Sequence, residues 1–128
     1  MIRIDRLDHL VLTVADIAII CDFYSRILGM SVETFAEGRK ALKFGGQKIN
    51  LHRAAHEFDP KARQPTPGSG DLCFIAETQL ADVIAHLQAS GVAIEEGSVE
   101  RTGATGRLRS VYFRDPDGNL LEVSNLIA

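Results

Sequence analysis

The segment DPDGNLLEV, residues 115–123, places the carboxylate of Glu122 inside an otherwise apolar strand. Successive side chains of a strand alternate, so Glu122 lies on the opposite face from Leu121 and Val123. If that face meets water, the carboxylate needs no explanation. If it meets a cavity, the carboxylate must be paired, protonated or bound to a metal ion, because an isolated buried charge is too costly.

Other polar residues interrupt predicted strands in the same way, namely His9, Asn50, His52 and Asp71. Imidazole nitrogens and carboxylate or amide oxygens suit an open site for one divalent ion such as Ni, Mn, Fe, Co or Zn. A set of two histidines and one carboxylate also suits iron or zinc. The candidate metal ligands are His9, His52, Asp71 and Glu122. Asn50 is predicted to be a wall residue that hydrogen-bonds the substrate.

The elements that position these residues occur twice along the chain. A strand over residues 7–14 precedes a helix that starts after the N-cap Asp16 and stops at Gly29, and three short strands follow. A proline-containing linker over 59–69 interrupts the pattern. The same order of elements then returns, with its second strand predicted over residues 92–97.

Aligning the halves puts His9 on Asp71 and Asn50 on Glu122. A repeat of this size predicts one α+β domain, residues 1–128, built from two βαβββ modules at 4–58 and 70–128. Eight strands would form a curved cup with a helix behind each half, and the symmetry would bring the polar strand residues together in the cup.

Four residues on a later strand are candidates for substrate contact. Ser110 and Tyr112 share one strand face and are predicted to point into the cup. Arg107 and Arg109 follow the TGATG stretch and are predicted to clamp an anionic substrate group, with solvated strand arginines as an equal alternative.

Composition excludes several classes of protein. With 128 residues, 45% hydrophobic and 24% charged, the chain has the composition of a globular domain. Its net charge of -3 gives no electrostatic case for nucleic acid, and its apolar runs are too short to span a membrane. Cys21 and Cys73 have no metal or redox spacing, so we expect reduced thiols and a cytoplasmic location.

Two stretches, LDHLVLTVADI with FYSRILGM and SVYFRDPDGNLLEVSN, resemble the vicinal oxygen chelate superfamily, which includes glyoxalase I, fosfomycin-resistance transferases, extradiol dioxygenases and bleomycin-binding proteins. The chain is most similar to its small single-domain glyoxalase-like and virulence-associated members. The resemblance implies a divalent metal, with His9 and Glu122 at the positions of first-strand and last-strand ligands. Asp71 and Asn50 depart from the usual histidine and glutamate.

The resemblance also implies a function. We expect a metal-dependent lyase or isomerase of the glyoxalase type, similar to lactoylglutathione lyase, in which Glu122 removes a proton next to a carbonyl of a small substrate. A homodimer is expected. The alternatives are a thiol transferase of the fosfomycin-resistance type, an extradiol dioxygenase, and a protein that binds a drug or other ligand without turnover.

Overall fold

A computed structural model describes all 128 residues, which form two compact units, Met1–Pro67 and Gly68–Ala128. Each unit contains one helix and one four-stranded sheet, which confirms the α+β class and the two βαβββ modules. The boundary between the units falls inside the linker predicted over 59–69. Neither helix is long and apolar enough to cross a membrane.

Unit 1 has a sheet with the strand order β1-β4-β3-β2. Its elements are β1 (His9–Val14), α1 (Ile17–Arg26), β2 (Ser31–Phe35), β3 (Arg39–Phe44) and β4 (Gln47–Arg53). Strand β1 runs parallel to β4, and the other neighbours are antiparallel. Helix α1 begins as predicted, because the Asp16 carboxylate accepts a hydrogen bond from the Ile19 backbone N–H at 3.0 Å.

Unit 2 repeats this topology with the strand order β5-β8-β7-β6. Its elements are β5 (Asp71–Ile75), α2 (Leu80–Ala89), β6 (Glu96–Thr102), β7 (Arg107–Arg114) and β8 (Leu120–Leu126). Here β5 is the strand that runs parallel to β8. The two units therefore have the same order of elements and the same strand directions.

The strand predicted over residues 92–97 is wrong in its bounds, because the observed β6 starts at Glu96. Helix α2 ends in a left-handed turn at Gly91 (φ 74°), and the Val92 N–H donates to the Leu87 carbonyl at 2.9 Å. The Val92 N–H is therefore used by the helix end. Strand β6 instead continues to Thr102, beyond the predicted end.

The strand registers agree with the alignment of the halves. His9 stands opposite Lys48, two residues before Asn50, and Asp71 stands opposite Leu120, two residues before Glu122. His9 and Asp71 therefore occupy equivalent places, and so do Asn50 and Glu122.

One face of each sheet packs against the helix of its own unit. In unit 1, helix α1 contacts β2, β3 and β4, and the buried side chains include Ile20, Tyr24, Leu42, Ile49 and Leu51. In unit 2, helix α2 contacts β7 and β8, and the buried side chains include Leu87, Val111, Phe113, Leu121 and Val123. Because strand side chains alternate, Asn50, Tyr112 and Glu122 lie on the other face of their sheets.

The DPDGN segment forms the predicted hairpin turn between β7 and β8. The Asp115 carboxylate accepts hydrogen bonds from the backbone N–H groups of Asp117 and Asn119 at 2.9 and 3.0 Å. Gly118 takes a positive φ of 90°, which favours glycine. The Asn119 amide oxygen then accepts from the Gly70 N–H at 2.6 Å, which ties the turn to the start of β5.

Strand β8 also caps helix α2. Gln79 at the helix start makes no side-chain cap, and the Asn125 amide oxygen accepts from the Leu80 N–H at 2.7 Å instead. The Asn125 amide nitrogen donates to the carbonyl groups of Ala76 and Thr78 at 3.2 and 2.9 Å. The Asn125 side chain thereby ties the first residue of α2 and the segment before it to β8, the strand that carries Glu122.

Candidate functional site

Glu122 has a thiol and a phenol as its cross-strand neighbours. Cys73 on β5 and Tyr112 on β7 both stand directly opposite Glu122 in the register. Residues that face each other across paired strands point to the same side of the sheet. The half-buried Glu122 carboxylate is thus flanked by two side chains that can donate hydrogen bonds.

Ser124 lies on the same face of β8 as Glu122, and its hydroxyl contacts Glu122, Cys73 and Ser110. Its hydroxyl donates to Glu122 Oε2 at 3.4 Å, and it lies 3.3 Å from Cys73 Sγ and 2.6 Å from Ser110 Oγ. Ser110 was a predicted substrate contact; the structure buries it fully against Ser124. Burial raises the pKa of the Cys73 thiol, and the nearby Glu122 charge raises it further.

Tyr112, the other predicted substrate contact on β7, is held by an arginine. Arg101 Nε donates to the Tyr112 hydroxyl at 2.9 Å, and the guanidinium also pairs with Glu96 at 3.2 Å. Burial raises the pKa of Tyr112, Glu122 adds to this rise, and Arg101 opposes it. Tyr112 therefore keeps its proton at neutral pH and remains a hydrogen-bond donor.

These side chains line a pocket of about 520 Å³ that lies within unit 2. The polar part of its wall includes Glu122, Tyr112, Arg101 and Cys73, and the apolar part includes Ile75, Leu108 and Leu126. A mostly apolar cavity with a few convergent polar groups is the usual form of a small-molecule site, and this volume suits a small organic ligand.

The structure does not bring Arg107 and Arg109 to this pocket. Both guanidinium groups pair with Glu100, at 3.1 and 3.2 Å, and strand alternation places them on the opposite face from Tyr112. The arginine of the pocket is Arg101, which the sequence analysis missed. No signal in the sequence could have found it, because its place opposite Leu108 depends on the register of β6, which shifts between Gly97 and Val99.

Asp71 lies on the same face of β5 as Cys73, two residues earlier along the strand. Its partner in the register is Leu120, so Asp71 is the diagonal neighbour of Glu122. The structure therefore brings Asp71 and Glu122 onto one sheet face, with Asp71 at its exposed margin.

His9 and Asn50 form the equivalent pair on the sheet of unit 1. His9 Nδ1 lies 2.9 Å from the Asp8 carboxylate, and this hydrogen bond is the main reason that the pKa of Asp8 is lowered. An imidazole that donates its Nδ1 proton to a carboxylate presents Nε2 as an acceptor or metal ligand. The Asn50 Oδ1 atom is buried and has no hydrogen-bond partner.

His52 shares the face of Asn50 but lies away from His9. Its register partner is Thr13, four residues beyond His9, which corresponds to about 13 Å along the strand. The buried ring meets Phe58 edge to face at a centroid distance of 5.5 Å. Burial lowers the pKa of His52, and Arg39 lowers it further, so its imidazole is neutral at neutral pH.

Comparison with known proteins agrees with this architecture. Residues 6–123 match the model of the Glyoxalase/Bleomycin resistance protein/Dioxygenase superfamily. The chain belongs to this superfamily. The resemblance stated from the sequence motifs is thereby confirmed.

Two relatives share more than half of their aligned residues with this glyoxalase-superfamily chain. Virulence protein STM3117 of Salmonella typhimurium strain LT2 is 58% identical over 124 residues, which cover 97% of this chain and 86% of that protein. Its crystal structure superposes with a TM-score of 0.97, at 57% identity, over 98% of this chain and 100% of that one. The glyoxalase domain-containing protein RDO1 of Mycosarcoma maydis is 56% identical over 119 residues, covering 93% and 67% of the two chains.

A more distant structure shares the fold alone. Lactoylglutathione lyase from Agrobacterium tumefaciens is 24% identical and has a TM-score of 0.71, over 94% of this chain and 92% of that one. This likeness concerns the arrangement of the backbone, and activity has to be argued from the side chains.

Each sheet carries side chains of the types that bind divalent metal ions. The Nδ1 atom of His9 has a carboxylate partner, which leaves Nε2 as the nitrogen for a metal, and Asn50 presents a buried oxygen without a partner. Asp71 and Glu122 add carboxylates at the equivalent places of unit 2. Within neither unit do three His, Cys, Asp or Glu side chains form a group that could hold a metal ion.

Proposed function

We propose that this protein is a metal-dependent enzyme of the glyoxalase type that acts on a small organic substrate. The observation that carries the proposal is the Glu122 carboxylate, which lines a pocket of about 520 Å³ together with Tyr112 and Arg101. A carboxylate beside a fixed hydrogen-bond donor is suited to remove a proton from carbon while the donor binds the neighbouring oxygen.

The roles of the side chains follow from their contacts. Glu122 is the proposed base, because its carboxylate accepts hydrogen bonds and borders the pocket. Tyr112 is the proposed donor to the substrate oxygen, because its hydroxyl already accepts from Arg101 and its raised pKa retains its own proton. Arg101 is a positioning residue, since Glu96 and the Glu100 carbonyl fix its guanidinium.

The side chains proposed as metal ligands are Asp71 and Glu122 in unit 2 and, at the equivalent places of unit 1, His9 and Asn50. A bound ion of Ni, Mn, Fe, Co or Zn would polarise adjacent oxygens of the substrate and stabilise the negative charge that develops there. The apolar side chains of Ile75, Leu108 and Leu126 would cover the carbon part of the substrate and exclude water from it.

We also propose a homodimer in a reducing compartment such as the cytoplasm. Strands β1 and β5 are edge strands of their sheets, and exposed strand edges are commonly covered by association. Both cysteines are free thiols, which suits a reducing compartment.

Elemental analysis by plasma mass spectrometry tests the proposal. The protein is stripped with a chelator, reloaded separately with each of the five metals and desalted. We expect about one tightly held ion per chain for at least one metal. Glu122→Gln should retain less than roughly a tenth of that metal, because an amide is a weaker ligand than a carboxylate.

Glu77→Gln is the matched control, since Glu77 is exposed and lies outside the pocket. Equal retention by Glu122→Gln and the control would contradict the role of Glu122. If no metal is retained under any loading, the metal-dependent enzyme is wrong and a ligand-binding protein is the better proposal. The identity of a retained metal would rank the isomerase against the transferase and the dioxygenase.

A further inference from the structure

The sheet of unit 1 carries two cations stacked on aromatic rings. The Arg39 guanidinium carbon lies 3.8 Å from the centroid of Phe58 and 5.8 Å from that of Phe35. Lys48 Nζ lies 4.2 Å from the same Phe35 ring. We call Arg39, Lys48, Phe35 and Phe58 the Arg39 cluster. Strand alternation places its two cations on the face that also carries His9 and Asn50.

Neither cation of the cluster forms an ion pair with a carboxylate. Lys43, directly opposite Lys48, does pair with Glu33 at 3.4 Å. Asp8, whose pKa is lowered first by His9 and further by Lys48, binds His9, and Glu57 accepts from the Ala55 N–H and pairs with Lys61. The Arg39 cluster therefore has positive charge that the chain itself does not neutralise.

The aromatic rings make this charge available to a ligand. A ring that stacks on the face of a guanidinium holds its plane and leaves the in-plane N–H groups free for hydrogen bonds. Arg39 and Lys48 are both half-buried, so their charges are less screened than those of fully exposed side chains. A fixed guanidinium with free donors matches the two oxygens of a carboxylate or phosphate group.

We propose that the Arg39 cluster is an oxyanion-binding site within unit 1 that takes a carboxylate or phosphate group of a small acidic ligand. This anion site requires no metal. The acidic group of the ligand binds Arg39 and Lys48, and the rings of Phe35 and Phe58 pack against the adjoining carbon atoms.

The test is a titration of the metal-stripped full chain, in the presence of chelator, with inorganic phosphate and separately with acetate. Binding is followed by ¹H–¹⁵N NMR, which also shows whether each variant is folded. We expect saturable shifts at the amides of Arg39 and Lys48 with a dissociation constant in the range of about 1–10 mM. The stronger of the two anions identifies the acidic group that the site prefers.

Three variants, each lacking one positive charge, sharpen the test. Arg39→Gln should weaken binding about tenfold, because it removes the charge-assisted and bidentate hydrogen bonds. Lys48→Gln should weaken it about threefold, since a lysine acts as a single point charge. Lys43→Gln is the control and should change binding by less than about twofold, because that charge is already paired.

The inference is overturned if neither anion saturates the wild-type protein, or if Lys43→Gln weakens binding as much as Arg39→Gln. Metal retention by Arg39→Gln separates this result from the proposed function. If the wild type binds neither anion but retains metal, only the anion site is refuted. Anion binding without any metal retention would refute only the metal-dependent enzyme.

Discussion

The two units share one backbone design and carry different chemistry on it. Asn50 and Glu122 occupy equivalent places, yet Asn50 faces Ala41 across the strands while Glu122 faces Tyr112. In unit 2 the arginine beside the site is paired with a glutamate, whereas Arg39 in unit 1 has no carboxylate partner. The comparison teaches that a repeated fold can divide tasks: unit 2 presents a carboxylate and proton donors, and unit 1 presents an imidazole, an amide oxygen and unneutralised cations.

The largest expected effect concerns the two equivalent ligand positions. Glu122→Asn, which copies the unit 1 residue into unit 2, should weaken metal binding at least about 100-fold, because a charged ligand is lost. Asn50→Ala should weaken it only about tenfold, since a neutral oxygen contributes less. Competition against a chromogenic chelator measures both, with Gln47→Ala, at the exposed start of β4, as control. Equal losses at the two positions would contradict this division between the units.

The two helices differ in how they are capped, and this difference should appear in stability. Asn125→Ala removes three hydrogen bonds that link β8 to the start of α2, and we expect a loss of about 2 kcal/mol in the free energy of unfolding. Asp16→Ala removes one local cap of α1 and should cost about 1 kcal/mol. Urea denaturation with unchanged slopes measures both losses. A larger loss for Asp16→Ala would show that the distant cap contributes less than its contacts indicate.

The smallest expected effect concerns the two cysteines, one in each unit. Burial raises the pKa of both thiols, and the Glu122 charge raises only that of Cys73. At pH 8, alkylation of both cysteines should therefore be slower than alkylation of a fully exposed cysteine in a peptide. Its rate should increase as rising pH forms the thiolate. Glu122→Gln removes the repelling charge, lowers the pKa of Cys73 and should speed its alkylation about twofold.

Peptide mapping by mass spectrometry follows the two cysteines separately in the same sample. Cys21 is the internal control, because Glu122 does not affect its pKa. An equal change at Cys21 and Cys73 would point to a general loosening of the variant rather than to the local charge of Glu122.

Most of the fold could be predicted from the sequence, because its signals are local. The N-cap of Asp16, the turn at Gly118 and the alternation around Glu122 each depend on neighbouring residues, and the structure confirms all three. The start of β6 could not be predicted, because it depends on how the end of α2 uses the Val92 N–H. The metal ligands His9, His52, Asp71 and Glu122 remain predictions, and our proposal takes Asn50 in place of His52 because the structure separates His52 from His9 along the strands.

By itself, the sequence determined the repeated βαβββ order and the strand faces that carry His9, Asn50, Asp71 and Glu122, since strand periodicity and turn chemistry act over a few residues. Only the tertiary structure decided that Arg101 contacts Tyr112, whereas the placement of Arg107 and Arg109 on the opposite face from Tyr112 follows from strand alternation alone. The register of β6 shifts between Gly97 and Val99, so the face of each later residue depends on pairing with β7. In the same way, Phe58 packs on Arg39 and His52 only because the chain after β4 folds back over its own sheet. The contacts of Arg101 with Tyr112 and of Arg39 with Phe58 each join different elements of the fold, and no local pattern encodes them.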